Sequence, residues 1–410
     1  MAEKNMTLQL DLIGRINRIV ETNSKNGVGL KDILIREGEP ISGNTPLGMK
    51  YMIGSRNNSE RRINNEDETD QYENENRRRK YKTGEIDYFE PWGKDEMKIL
   101  FDSIDKNWEK NITEKAIDRP LATNIGRMRV NLFTYNGEYS VENEIGINGK
   151  LGACIRVFPD ISVKLQDLNI PASAIEAITS KNGMILLTGG TGVGKSTTAS
   201  AFLQYLNETR SGHIITIENP IEMIIKEDKC RISQREVPSN IKVMAQGVQD
   251  SMRQFPEALL IGEIRDWDSA DAAMFAGESG HIVVGTVHSN SAIGCLSKML
   301  SFFHGSETTR AESLSQCLLA VIAQILVPSV DNKTWIPIYE TIALTDQNIK
   351  DMIALRKWGE LQKILKEGTN NSLICMNQSL LKAVKEKLIS SEMAIKYSTD
   401  KSDLKKLLSE

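Results

Sequence analysis

Short aliphatic runs separated by longer amphipathic stretches set the plan of most of this chain. Met184–Thr188 (MILLT), His213–Ile217, Ala258–Ile261 and Ile282–Val287 are apolar throughout or nearly so, and glycines follow the first of them. Runs of this length without polar alternation read as strands buried on both faces. The helical spacing between them, beginning with Lys195–Leu206 directly after the glycines, reads as crossover helices, so the pattern predicts an α/β fold with a mainly parallel sheet. The first third is patterned differently. Leu8, Leu10, Leu12, Ile13, Ile16 and Ile19 predict an amphipathic helix over 7–20. Asp32–Arg36 reads as a strand closed by the turn Glu37-Gly38-Glu39-Pro40. Arg127–Phe133 and Ala153–Phe158 alternate polar and apolar residues, the pattern of strands with one solvated face. The tail, Gln378–Glu410, is rich in Lys and Leu and reads as helical.

Length and composition sharpen this plan. A chain of 410 residues holds two to three domains, and 40% hydrophobic residues are enough to bury a core. Between about Arg56 and Lys82 charges of both signs are dense and Ile63 is the only aliphatic residue. Such a segment buries too little surface to offset its ordering entropy, so it is expected to be a disordered insertion. Lys and Arg number 51 against 55 Asp and Glu, a net charge of −4. This balance counts against a protein that coats nucleic acid, which needs a cationic surplus, and no direct nucleic-acid partner is expected. Five scattered cysteines, an odd number without metal-ligand spacing, fit a reducing compartment. The longest apolar run, Cys317–Val327, is interrupted by Gln324 and stopped by Pro328. It is well short of the roughly 20 residues of a membrane span. A cytosolic protein with at most peripheral membrane association is expected.

The chemistry lies in Gly189-Gly190-Thr191-Gly192-Val193-Gly194-Lys195-Ser196, followed by Thr197. The stretch fits G-x-x-x-x-G-K-[ST], between a predicted strand and a predicted helix. Glycines let the backbone wrap phosphates, and the N–H groups opening the helix point at the anion. Lys195 supplies a point charge to the β- and γ-phosphates, and Ser196 a hydroxyl to Mg²⁺. ATP and Mg²⁺ are the expected substrate and metal. A nucleotide hydrolase also needs an acid near the metal and a group that positions water. The run Ala258–Ile261 leads into Glu263, and a strand beside the loop strand would bring that carboxylate to the edge where α/β sheets bind ligands. Glu218 closes another strand in the same way. His281 and His288 bracket a third, placed to sense a phosphate, to bridge to a neighbouring subunit, or to sit as ordinary buried imidazoles.

These residues resemble the secretion and traffic ATPases, the motors of type II secretion, type IV pili and type IV secretion. GGTGVGKST, ITIENPIE (215–222), SQREV (233–237), IGEIRD (261–266) and SGHIVVGTVHSNSA (279–292) stand in the family's order and spacing. The resemblance covers about residues 100–405. It implies a RecA-like P-loop NTPase core at 164–410 with a helical C-terminal region. It also implies a smaller α+β, PAS-like N-terminal domain made of 1–42 and 86–163, with 43–85 as the charged insertion. Glu263 then corresponds to the Walker B glutamate, a catalytic and Mg²⁺-placing residue beside Ser196, and Glu218 to the acidic-box glutamate. His288 and His281 form the histidine box. Arg127, Arg129 and Arg156 match N-terminal-domain arginines that reach a nucleotide. The family works as hexameric rings beside inner-membrane platform or secretion-channel proteins. Asn219 stands where the retraction (PilT-type) branch usually has Asp. MNQSL (376–380) resembles that branch, while HSNSA and QILVPSVD (324–331) are similar to the Dot/Icm and conjugation (DotB- or TraJ-type) branch. Two other readings use the same loop: a RecA-like nucleic-acid helicase or packaging motor, and a scaffold that binds ATP without turning it over.

Overall fold

The computed structural model describes residues 12–21, 30, 32–39, 41–45, 48–51, 91–123, 126–135, 149–158, 163–179, 182–368 and 372–409. Contacts divide the chain into two units, one of Met1–Asn124 with Arg129–Val157, the other of Ile125–Met128 with Phe158–Glu410.

In the first unit a six-stranded sheet is built from β1 (Asp32–Arg36), β2 (Ser42–Thr45), β3 (Gly48–Tyr51), β4 (Ile117–Thr123), β5 (Gly126–Tyr135) and β6 (Lys150–Val157), in the order β3-β2-β1-β6-β5-β4. β1 pairs antiparallel with both β2 and β6. Alternation puts Ile33 and Ile35 of β1, and Met128, Val130 and Leu132 of β5, in the core. The expected N-terminal helix is present over 12–21 and buries Leu12, Ile16 and Ile19. Leu8 and Leu10 lie outside the described residues. A second helix, Lys94–Ile104, adds Met97, Leu100 and Phe101. Regular structure extends into the span 43–85 expected to be an insertion: β2 and β3 form a hairpin continuing the sheet from β1. A hairpin needs only a short alternating pattern, and the charge density further on obscured it. The charged segment 56–82 lies outside the described residues.

The second unit contains β7 (Gly183–Thr188), β8 (Gly212–Glu218), β9 (Cys230–Glu236), β10 (Pro256–Ile261), β11 (Ile282–Val287), β12 (Leu318–Pro328), β13 (Trp335–Ala343) and β14 (Leu373–Ile374). They form one eight-stranded sheet, ordered β14-β13-β12-β7-β11-β10-β8-β9. From β12 to β9 every neighbouring pair is parallel, and β13 and β14 join antiparallel. Every residue of β7 and β11 is buried, as a central parallel strand requires. One face packs the helix Lys195–Thr209 through Ala199, Phe202, Leu203 and Leu206. The other packs, among others, helices Trp267–Glu278 and Ala292–Ser301. The tail folds as three short helices, Met376–Lys385, Ser391–Tyr397 and Lys401–Ser409, around Leu380, Ala394 and Leu404.

Strand order corrects one expectation. β10, which leads to Glu263, is not beside the loop strand β7, because β11 lies between them. Apolar runs specify that a strand is buried but not which neighbour it takes. The consequence is that His288, just past the end of β11, comes to lie beside Glu263.

Phe202 is fully buried between the sheet and the helix that follows the loop. Phe202→Ala is expected to cost about 3–5 kcal/mol through the cavity it leaves. A thermal midpoint lowered by several degrees checks this, and an unchanged midpoint would show that the helix collapses onto the gap.

Candidate functional site

β7 ends at Thr188, and the chain turns through Gly189–Gly194 into the helix Lys195–Thr209. Gly189 has φ +150° and Gly194 φ +88°. A Cβ at Gly189 would stand 2.4 Å from the Gln324 carbonyl oxygen on β12, so both conformation and space demand glycine there. The loop wraps Lys195 closely. The lysine is only 9% exposed, and its Nζ donates to the carbonyls of Gly189 (2.9 Å) and Gly190 (2.8 Å). Burial lowers its pKa, and the negative charges of Glu263 and Glu222 oppose that shift. The ammonium is therefore held by carbonyls in a field of two carboxylates, a cation placed for an anionic ligand. Thr191 and Gly192 are exposed, and Val193, Gly194, Ser196 and Thr197 are half-buried.

At the same edge of the sheet the backbones beyond β10 and β8 are tied together. Gly262 N–H donates to the Ile217 carbonyl (2.8 Å), Ile264 N–H to the Thr286 carbonyl (2.8 Å), and the Thr286 hydroxyl to the Gly262 carbonyl. Glu263 is held in this lattice yet keeps a partly exposed carboxylate, 3.4 Å from His288 Nε2. The Thr188 hydroxyl donates to the Ser289 carbonyl (3.0 Å), which ties the segment after His288 to the entrance of the loop. Glu218 is the opposite kind of carboxylate. It is almost fully buried and accepts from the Thr216 hydroxyl (2.6 Å) and the Gln234 amide (3.3 Å). Burial pushes its pKa up to about 7 against those hydrogen bonds, with the charge of Glu222 adding to the rise.

The structure thus gathers the loop, Lys195, Glu263 and His288 at one edge, with Glu218 at the end of β8 there. It does not gather His281. That residue precedes β11, whose six residues span about 20 Å, and its Nδ1 lies 3.2 Å from the Pro256 carbonyl at the other edge of the sheet. Two residues flanking a strand look adjacent in sequence and sit at opposite ends of it. The three arginines are engaged by carboxylates. Arg127 Nη2 lies 3.3 Å from Glu236 Oε2, Arg129 Nε donates to both oxygens of Asp118 (2.8 and 2.9 Å), and Arg156 Nε donates to Asp32 (2.9 Å), its cross-strand partner.

Three residues were not singled out from sequence. Glu222 acts electrostatically on Lys195; its spacing four residues after Glu218 was the available signal. Glu340 is buried on β13, and its carboxylate accepts from Ala292 N–H (2.8 Å), fixing the start of the helix after His288. Gln324, noted as a break in an apolar run and as the first residue of QILVPSVD but given no role, contacts the loop directly.

The oxygen donors here, the Ser196 hydroxyl and the carboxylates of Glu263 and Glu218, suit a hard cation such as Mg²⁺. Among the described residues no cluster of three or more His, Cys, Asp or Glu could hold a metal ion. Mg²⁺ that keeps several waters and shares a substrate's phosphates needs no such cage.

The family described as type II/IV secretion system protein matches residues 153–392. The chain is 33% identical over 273 residues to a twitching motility protein of Neisseria gonorrhoeae, covering 66% of this chain and 69% of that protein. It is 30% identical over 298 residues to the type IV pilus retraction ATPase PilT of Pseudomonas aeruginosa, covering 72% and 82% respectively. The crystal structure of the pilus retraction motor PilT with bound ADP superposes with a TM-score of 0.70 at 27% identity, over 95% of this chain and 98% of that one. The ATPase DotB of Legionella pneumophila shares the fold, with a TM-score of 0.71 at 23% identity over 92% and 94% of the two chains.

The buried Glu218 generates a pH prediction. Between its ordinary value of 4.5 and about 7 the folded chain keeps a proton that the unfolded chain has lost. Its contribution to stability is therefore full below 4.5 and lost as pH rises through 7. Without nucleotide or divalent cation, Glu218→Gln is expected to gain thermal stability relative to the native chain at pH 8 compared with pH 5. A pH-independent difference in midpoints would show that Glu218 is ionised throughout.

Proposed function

The chain belongs to the type II/IV secretion system protein family, and we propose that it is an ATP-hydrolysing motor of a type IV pilus or type IV secretion machine. The observation that carries this reading is the buried Lys195 ammonium, held by Gly189 and Gly190 in the field of Glu263 and Glu222. The pilus-retraction relatives support the pilus side of the choice, being at least 27% identical, whereas DotB at 23% speaks for the fold alone.

Each residue then has a task. The N–H groups of Gly190–Ser196 and the start of the helix receive the β- and γ-phosphates. Lys195 exchanges its two carbonyl partners for phosphate oxygens, and Thr197 continues the same helical turn. Ser196, with Glu263 and Glu218, would hold Mg²⁺, which supplies neutralisation of charge on the transferring phosphoryl group. Glu263 orients the attacking water and receives its proton, a role worth about 10²–10⁴-fold. His288, 3.4 Å from that carboxylate, fixes its orientation and lies where the γ-phosphate leaves. Arg127, Arg129 and Arg156 are assigned to bound phosphate in the same or a neighbouring chain, each exchanging a carboxylate for it. His281, at the far edge, is assigned a contact with an adjacent subunit's site rather than its own.

Hexameric assembly, a PAS-like first domain and action at the cytoplasmic face of the inner membrane, with platform or channel proteins as partners, complete the proposal. Among the described residues no helix is long and apolar enough to cross a membrane, which accords with peripheral association.

Glu263→Gln is expected to bind ATP as the native chain does and to lose hydrolysis by 10²-fold or more, since the amide fills the same space without accepting a proton. Lys195→Ala is expected to lose binding and turnover together. Equilibrium binding alongside phosphate release distinguishes them, and a turnover rate near native in a folded Lys195→Ala chain would overturn the site.

For the arginines, single Ala variants measured for turnover and oligomer size should include at least one that forms the native assembly but hydrolyses ATP 10³-fold or more slowly. Three variants with native rates would remove them from the site.

A further inference from the structure

Gln324 is the one polar residue in the apolar body of β12, Leu318–Val327, and it is only 2% exposed. Burying a primary amide in such a strand is costly unless both ends are satisfied. Here both are. Nε2 donates to the Val193 carbonyl at 2.7 Å, and Oε1 accepts from the Thr198 hydroxyl at 2.7 Å. The parallel register of Ala323 with Thr188 brings Gln324 level with Gly189, whose absent Cβ would be 2.4 Å from the Gln324 carbonyl. A Cβ at Gly194 would stand 3.0 Å from Nε2. Gln324 thus meets the start of the loop through its backbone carbonyl, and through its side chain the last peptide of the loop and the first turn of the helix beyond.

We infer that Gln324 is a positioning residue for phosphate binding, holding the Val193–Gly194 peptide so that the Gly194 N–H faces a bound phosphate. This rests on the nucleotide reading of the loop. In a planar trans peptide the C=O and N–H point in opposite directions. Drawing the Val193 carbonyl onto β12 therefore turns the Gly194 N–H away from β12, to the open side of the loop. The Val193 carbonyl, which can only accept, fixes which end of the amide faces the loop, and the Thr198 hydroxyl holds the other end by donating to Oε1. The brace is backed from behind. Tyr339, the register partner of Gln324 on β13, has its hydroxyl buried beside Thr198, and its carbonyl accepts from Ser379 on the helix Met376–Lys385 (2.6 Å).

The test uses the full chain with Gln324→Met, which keeps the volume and removes both polar ends, and with Thr198→Val and Thr198→Ser. Gln324→Met is expected to raise the Kd for ADP and the KM for ATP about tenfold, because a loop free to rotate its last peptide is no longer preorganised for phosphate. Thr198→Val should show part of the same loss and Thr198→Ser should restore it. The double variant Gln324→Met/Thr198→Val should be no worse than Gln324→Met alone, as expected for residues acting as one unit. A core residue without this role would lower the thermal midpoint and the active fraction, hence kcat, and leave Kd and KM unchanged; that result overturns the inference. If Gln324→Met does not fold, the Thr198 pair decides by the same criterion. A native chain that binds no ADP overturns the nucleotide reading and this inference together, whereas native binding matched by Gln324→Met overturns this inference alone.

Discussion

A lysine ammonium folded back onto the carbonyls of its own loop is the constraint on which the rest of the second unit depends. Lys195 opens a helix, where the aligned peptide dipoles already leave positive charge. Burying a second positive charge there is unfavourable unless oxygen surrounds it. The chain meets this need locally, with the Gly189 and Gly190 carbonyls, and at longer range with Glu263 and Glu222. The loop must then be glycine-rich for two reasons. Its backbone has to curl tightly enough to aim carbonyls at Nζ, and the Gln324 carbonyl approaches too closely for any side chain at Gly189. The buried parallel strands on either side of β7 hold this curl rigidly enough for it to act as a site.

Two carboxylates at this edge of the sheet are set apart by their surroundings. Glu218 is sealed beneath the edge of the sheet, and burial raises its pKa to about 7 despite two hydrogen bonds. Glu263 stays partly in solvent beside His288. Two like groups in different surroundings, one sealed and one solvated, are suited to different work. The partly exposed group is suited to handling water and the buried one to answering a change in local charge. A divalent cation arriving with a nucleotide would favour the ionised form of Glu218.

Much of this architecture was legible in the chain. β1 has the bounds expected of it, and β11 likewise. β7, β8 and β10 differ from their apolar runs by a residue or two, because buried parallel strands are written as uninterrupted aliphatic stretches. The glycine-rich loop was legible for the same local reason: a tight turn between strand and helix needs glycines at set spacings, whatever surrounds it. Less legible were β2 and β3, whose hairpin carries few aliphatic residues, and His281, whose nearness to His288 in sequence conceals the length of a strand. Gln324 looked like an interruption of an apolar run, and it is such an interruption because the loop needs an amide there.

By itself the sequence determined the α/β class of the second unit, the positions of its central strands and the glycine-rich loop that leads into Lys195. These depend on residue type and spacing within a few tens of residues, where backbone geometry leaves little choice. Tertiary structure alone decided that β11 inserts between β7 and β10, that His288 thereby meets Glu263 while His281 does not, and that Glu222, Glu340 and Gln324 converge on the loop and its supports. Those relations join residues as much as 131 positions apart. An apolar run states only that a strand is buried; which strands become neighbours is settled by how the helices on both faces pack around the whole sheet.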